Sequence, residues 1–377
     1  MVRISSKHEE ENIIHFTMDD TNVSIANALR RTIISDIDSV VFNTFPETEN
    51  NCSIQTNTSR FTNEIIKHRL SLIPIHITDL SIPIQNYLLI INKTNTSLVT
   101  EFVTTEHFQI KDKTTDKFLS KADRDIIFPK NAQTNHFIQF LRLRPKLASN
   151  IAGESIILSC TFSISNAKHN SAYNQTSSCF YKNTLDPVAA NDAWTKKEKI
   201  LRDSSSSKLN PDNIAYEKKN WFLLDALRYF TPDSFDFRIK SVGVFNNTEL
   251  IHSGCNVLMK SFTDIKNAVE IDDTSAIVFN TSITTIENCY DITLHNCDYT
   301  VGKVLEYFIY SNHYNGDKIL SFCGFIKEHP HDLHSMLRIA FKNKTDQNVA
   351  KQLVIESAIE SINTFTQIDK QFTPLKK

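Results

Sequence analysis

Three histidines stand close together in Glu328-His329-Pro330-His331-Asp332-Leu333-His334. Imidazoles at this spacing can ligate zinc, given a fixed geometry and a fourth donor. Pro330 breaks the helix that would align them. Cys160, His169 and Cys179 lack C-x-x-C spacing, and so do Cys289, His295 and Cys297; buried thiols are the common explanation for such sets. Asp19-Asp20 and Asp272-Asp273 sit beside a helix start and in a connecting segment, where capping and solvation explain them. No Ser, His and Asp set has a nucleophile-elbow context. The 377 residues contain six glycines. No pair of them fits G-x-x-x-x-G-K-[ST] or G-x-G-x-x-G, the spacings that phosphate-cradling loops need. What is left is basic: Arg30-Arg31, and His68-Arg69 before Leu70-Ser71-Leu72-Ile73-Pro74. Such charge beside an apolar run is either a solvated face or the polar rim of a protein contact, where Arg is enriched.

Composition narrows the choice. Lys plus Arg (41) nearly balances Asp plus Glu (43), and the net charge of −2 removes the simple picture of a free-standing nucleic-acid binder. It also makes phosphate contact by the basic pairs the less favoured reading. Forty per cent hydrophobic residues, with 25 Phe, can build real cores, and the length suggests two or three domains. The polar first residues lack the apolar core of a signal peptide. Runs such as Leu88-Leu89-Ile90-Ile91 are too short to cross a bilayer. The N-x-[ST] triplets at Asn57, Asn92, Asn174 and Asn343 follow from abundant Asn and Thr. Seven irregularly spaced cysteines suggest a reducing compartment. The expected location is intracellular.

The elements that would position these residues occur twice. Ser24-Ile25-Ala26-Asn27-Ala28-Leu29-Arg30-Arg31-Thr32-Ile33 matches Thr300-Val301-Gly302-Lys303-Val304-Leu305-Glu306-Tyr307-Phe308-Ile309 in residue class at an offset of 276. Ser24 or Thr300 is expected to supply the N-cap of each helix, with Asp19-Asp20 or Asp298 before it adding acidic charge at the helix start. Ile25, Leu29 and Ile33, or Val301, Leu305 and Ile309, recur at i, i+4, i+8. Phe237-Arg238-Ile239 matches Leu337-Arg338-Ile339 at an offset of 100, each on a strand-like run. A helical pattern follows, with Cys255, Leu258, Met259 and Phe262 opposite Ile355, Ala358, Ile359 and Ile362. Helix, strand and terminal helix thus recur in order, which implies two related halves with an insertion in the first. The insertion reads as strands at Ile73–Ile77, Tyr87–Ile91, Phe137–Leu143 and Ser155–Ile164, and as an exposed loop at Lys196–Asn213.

These residues carry a family likeness. Val23-Ser24-Ile25-Ala26-Asn27-Ala28-Leu29-Arg30-Arg31 resembles the first helix of the α-type subunits of multisubunit RNA polymerases. Asn63 to Ile75 contains Glu64-Ile65-Ile66-Lys67-His68-Arg69-Leu70-Ser71-Leu72-Ile73-Pro74, similar to the E-x-x-x-H-R-L-x-L-I-P stretch of the third-largest subunit in the eukaryotic and archaeal branch. Ser241-Val242-Gly243-Val244 resembles its E-S-V-G strand. Asp298 to Leu305 resembles the D-H-T-L-G-N-L-L helix of the small α-like partner, with Lys303 where the family prefers Asn. Gly324-Phe325 through His329-Pro330-His331, then Leu337-Arg338-Ile339, resembles its G-Y-x-x-P-H-P…L-R-I run. That gives the histidine cluster a structural explanation.

The resemblance implies an α+β fold. Two α-subunit-type dimerisation domains would form an intramolecular pseudo-dimer, with a β-rich domain inserted in the first. The expected ranges are 1–45 with 223–267 for the first domain, 46–222 for the insertion, 268–276 for a linker and 277–377 for the second domain. The two subunits are separate chains in cells, and joined versions are a feature of large cytoplasmic DNA viruses. The implied role is a non-catalytic platform for two large catalytic polymerase subunits, with small zinc-bearing subunits as further partners and DNA and RNA reached through the complex. No membrane contact and no homodimer are expected. Magnesium would belong to the large subunits. The cellular zinc loop needs four cysteines, and none lies between Cys52 and Cys160, so no cofactor is expected in this chain. Location would be the host cytoplasm and the virion. Interface residues are expected at Ser24, Asn27, Leu29, Arg30, Arg31, Ile33, His68, Arg69, Leu258, Phe262, Thr300, Val301, Leu305, Phe308, Ile309, Ile355, Ile359 and Ile362. Two other readings compete: a non-enzymatic virion or scaffold protein, and a hydrolase centred on the three histidines.

Overall fold

The computed structural model describes residues 2–146, 148, 151–204 and 211–373. Its helices in chain order are α1 (Val23–Ser35), α2 (Asn63–Ser71), α3 (Lys121–Ile127), α4 (Pro187–Ser204), α5 (Pro211–Leu223), α6 (Asn247–Glu270), α7 (Tyr299–Ile309) and α8 (Gln347–Phe372). The fold is α+β, and the chain divides into two compact units, one of residues 1–32, 178–240 and 251–377, the other of 33–177 and 241–250. Residues 178–222, grouped with the insertion from sequence, fall in the first of these.

The first unit holds two four-stranded sheets. One runs in the order Arg3–Glu10, Ile13–Asp19, Phe230–Ser241, Thr176–Leu185. Phe237 lies opposite Phe16, and Ile239 opposite Ile14; all four are buried, as expected for one face of an alternating strand. The other sheet is antiparallel throughout, in the order Ile277–Thr281, Cys289–His295, His334–Phe341, Leu320–Ile326. Asp291 faces Arg338 across it, and the two form a forked ion pair at 2.6 and 2.9 Å. That bond holds the Asp291 carboxyl below its usual range.

Several local expectations need correction. α7 is capped by Asp298, whose carboxylate accepts from the Thr300 N–H at 2.8 Å. The Asn22 side chain does the same for Ser24 N–H at 2.9 Å. The caps are therefore Asp298 and Asn22, not Thr300 and Ser24, because a side chain two residues upstream reaches the first free N–H groups. The region 196–213, expected as a loop, is helical at 196–204 and 211–213; its serine run 205–207 lies outside the described residues. Trp194 and Trp221 are both buried, with ring centroids 6.2 Å apart. That packing decides the local structure over the polar composition. Residues 268–270, expected as linker, complete α6.

The second unit is built around a five-stranded antiparallel sheet in the order Cys52–Asn57, Ser155–Thr161, Tyr87–Thr94, Gln109–Asp112, Lys117–Phe118. Phe42, Phe108, Phe128, Phe140 and Phe162 form its aromatic core. Ile73–Ile77 is not a strand, although Ile73 and Ile75 are buried. Pro74 cannot donate to a ladder, and the segment is tied instead by His76 N–H to Ile127 O at 3.0 Å.

Candidate subunit interface

Within the first unit α6 and α8 lie side by side. His252 Nδ1 is 2.5 Å from Asp369 Oδ1, Thr366 Oγ1 donates to Met259 Sδ at 3.1 Å, and the Phe262 and Phe365 rings stack at 6.0 Å. As one number rises the other falls, so the helices are antiparallel. Both rings are wholly buried, and such a pair adds about 0.5–1.5 kcal/mol beyond its area.

The burial pattern gives the register of the repeat. In α6 the buried positions include Leu250, Ile251, Cys255, Leu258 and Phe262; in α8 they include Leu353, Val354, Ala358, Ser361 and Phe365. These sets superimpose at an offset of 103, whereas the strands superimpose at 100. Phe262 and Phe365 are then the same position in the two copies, and they meet each other. The expected set Ile355, Ile359 and Ile362 is rotated off this stripe: Ile359 is 40% exposed and the other two are half-buried. Leu258 and Phe262 lie on it.

α1 and α7 are joined at their polar edge. Arg31 Nε donates to Thr300 Oγ1 at 2.8 Å, and its Nη2 to Asp298 Oδ2 at 3.0 Å. Arg31 therefore bonds across to the start of α7, and so does expected residue Thr300 from its side. Arg30 turns back on Asn27 Oδ1, at 2.9 and 3.0 Å. Leu29, Ile33, Leu305, Phe308 and Ile309 are buried; Ser24 and Val301 are half-buried. Gly302 faces the Phe325 ring so closely that a Cβ would stand 2.1 Å from it. This close approach explains a glycine inside an otherwise apolar helix.

Sequence reasoning missed the far end of α8. Gln371 accepts from Ile4 N–H at 2.7 Å and donates to Val2 O at 3.0 Å, and Phe372 meets Phe16 edge-on at 4.8 Å. The signal was present: Phe365, Ile368 and Phe372, at i, i+3 and i+7, extend an apolar stripe beyond Ile362, the last expected residue of this helix.

The other basic pair, in the second unit, is mostly structural. Arg69 donates to the carbonyls of Phe140 at 2.6 Å and Gln139 at 3.0 Å, and covers the Phe61 ring. It thereby pins the strand Gln139–Leu143 to α2. His68 is exposed. Ser241 and Gly243 form a tight turn before α6: Ser241 Oγ donates to Phe245 O at 2.5 Å, Asn247 accepts from Ser241 N–H at 2.8 Å, and Gly243 has φ +118°.

His329, His331 and His334 are all exposed. His329 and His331 share a turn, while His334 begins a strand opposite His295. Among the described residues no group of three His, Cys, Asp or Glu side chains is placed to hold a metal ion. No described helix is long and apolar enough to cross a membrane.

A "Conjugation stage-specific protein" of Tetrahymena thermophila is 31% identical over 75 residues, which are 20% of this chain and 22% of that protein. The chain thus spans about a fifth of the length of that relative. A family model described as the RNA polymerase Rpb3/Rpb11 dimerisation domain matches residues 15–262. The matched span takes in α1, the turn at Ser241-Val242-Gly243 and α6 as far as Phe262, and the chain belongs to that family, as an α-like RNA polymerase subunit.

Proposed function

We propose that this chain is the assembly platform of a multisubunit DNA-directed RNA polymerase, with the third-largest subunit and its small α-like partner joined in one polypeptide. The observation that carries this reading is the self-meeting of Phe262 and Phe365. In an isologous contact the same residue of two related halves meets at the axis. Here 103 residues of one chain separate the two rings. Residues 1–45 with 178–267 would be one half, 277–377 the other, and 46–177 the inserted domain. Joining the halves makes their pairing intramolecular, at an effective concentration of the order of millimolar, and fixes them at one to one. No homodimer is then needed.

On this reading the two large catalytic subunits dock on the outer surfaces and supply magnesium and RNA synthesis. The chain itself contributes no catalytic residue and no cofactor. Arg30 and the exposed His68 are the basic residues best placed to meet them. Arg31 and Arg69 are engaged within the chain. Joined halves also favour a cytoplasmic DNA virus as the source, with the protein in the host cytoplasm and in particles.

The test is affinity capture of the tagged chain from its native cells at moderate salt, with mass spectrometry and an RNA synthesis assay on a DNA template. Two very large polymerase subunits at one to one, with activity, are expected. Recovery of the chain alone, or with capsid proteins and no RNA synthesis, would overturn the platform reading and leave the fold intact.

A further inference from the structure

Cys52 and Cys160 face each other on adjacent antiparallel strands of the second unit, and both are buried as free thiols. Thr161 N–H donates to Asn51 O at 3.3 Å. The neighbouring pair, Cys160 opposite Cys52, is then of the type without backbone hydrogen bonds, in which Cα atoms stand about 4.5 Å apart. A disulfide needs Cα atoms about 4.4–6.8 Å apart, so the pair can close without moving the strands. Of the seven cysteines in the sequence, these two are directly opposed in a strand register.

Access comes from the Cys52 side. A cavity of about 610 Å³ is lined by Cys52, Lys67, Glu47, Asn50 and Thr161 among others. The Cys160 thiol hydrogen-bonded to Cys52, and beyond it the Lys67 ammonium, hold the Cys52 thiol below its ordinary value in spite of burial. Cys160 has the opposite character, pushed up by its bond to Cys52 and by burial. The cavity reaches Cys52, and Cys160 lies behind it across the strand pair, so Cys52 is placed to meet a soluble oxidant and Cys160 to resolve.

We propose that Cys52 and Cys160 form a peroxide-oxidisable dithiol, a modification site that closes to a cross-strand disulfide. The Cys52 thiolate attacks one oxygen of hydrogen peroxide and breaks the O–O bond. The hydroxide released takes up a proton as water, and Cys52 becomes a sulfenic acid. The Cys160 sulfur then attacks the Cys52 sulfur; the S–S bond forms, the S–O bond breaks, and the departing hydroxide takes the Cys160 proton. Two thiols lose two electrons, and one peroxide becomes two waters. The product would lock Cys52–Asn57 to Ser155–Thr161. The proposal is independent of the polymerase reading.

The experiment treats the full chain with hydrogen peroxide, counts free thiols after denaturation, and maps a non-reduced digest by mass spectrometry. The count should fall by two, with a peptide linking Cys52 to Cys160, and dithiothreitol should restore it. With Cys160→Ser, oxidation should stop at a Cys52 sulfenic acid that dimedone traps. With Cys52→Ser, Cys160 should remain reduced. An unchanged count, or losses mapped to other cysteines, overturns the proposal, and the wild-type digest decides this even if a variant fails to fold.

Discussion

The two long helices do the same job with different material. α6 fills its buried stripe with Ile251, Cys255, Leu258 and Phe262, while α8 places Ser357, Ala358 and Ser361 along the corresponding stretch before Phe365. The serines keep their hydroxyls satisfied inside the helix, Ser357 Oγ on Val354 O at 2.8 Å and Ser361 Oγ on Ser357 O at 2.7 Å. Because the helices are antiparallel, these equivalent stretches lie on opposite sides of the crossing, and Phe meets Phe where the two copies coincide. A repeat preserves the position of a contact more strictly than the side chains around it.

The sharpest way to break this comparison is at the shared ring. Phe262→Ala and Phe365→Ala should each cost about 3–5 kcal/mol. In a double-mutant cycle the pair should couple by about 0.5–1.5 kcal/mol. Urea unfolding of the four proteins measures it, and strictly additive losses would mean that the rings do not pack on one another. Next in size is Gly302→Ala, which forces a methyl into the Phe325 ring and should cost about 1–3 kcal/mol. Adding Phe325→Leu should recover part of that loss, which thermal unfolding can read.

Asp291 gives a smaller, pH-marked effect. Its folded pKa is depressed by Arg338, so its stabilisation is present above the unfolded carboxylate range and lost as pH falls through the folded value. Asp291→Asn should therefore cost about 1 kcal/mol near neutral pH, and the difference from wild type should shrink toward zero in acid. A gap that persisted at low pH would assign the loss to packing. Arg31→Glu should cost about 1 kcal/mol or less, because both partners are partly exposed. Adding Asp298→Asn, which keeps an acceptor for the Thr300 N–H and removes the charge facing the introduced glutamate, should restore part of it. Ile359→Lys should be the mildest, within about 0.5 kcal/mol, since that position lies outside the buried stripe.

Much of this could be read from residue types. The i, i+4, i+8 stripes placed α1 and α7, and Phe237-Arg238-Ile239 with Leu337-Arg338-Ile339 marked two strands whose alternate residues are buried. The helix register could not be read at 100, because α8 starts a turn earlier relative to its stripe. Ala350 occupies the buried position that Asn247 fills at the start of α6, and aliphatic Ile355, Ile359 and Ile362 imitate a core face. Arg31 read as a free basic residue because its partner Asp298 lies 267 positions away. The tryptophans of α4 and α5 carried the signal that the serine run obscured.

The bond between Ile4 and Gln371 has a consequence for biosynthesis. The two residues are 367 positions apart, and Phe16 likewise awaits Phe372. At about 5–20 residues per second, the strand Arg3–Glu10 exists for roughly 20–70 s before its last partner leaves the ribosome. During that interval the nascent sheet carries an uncovered apolar face, a natural client for a chaperone.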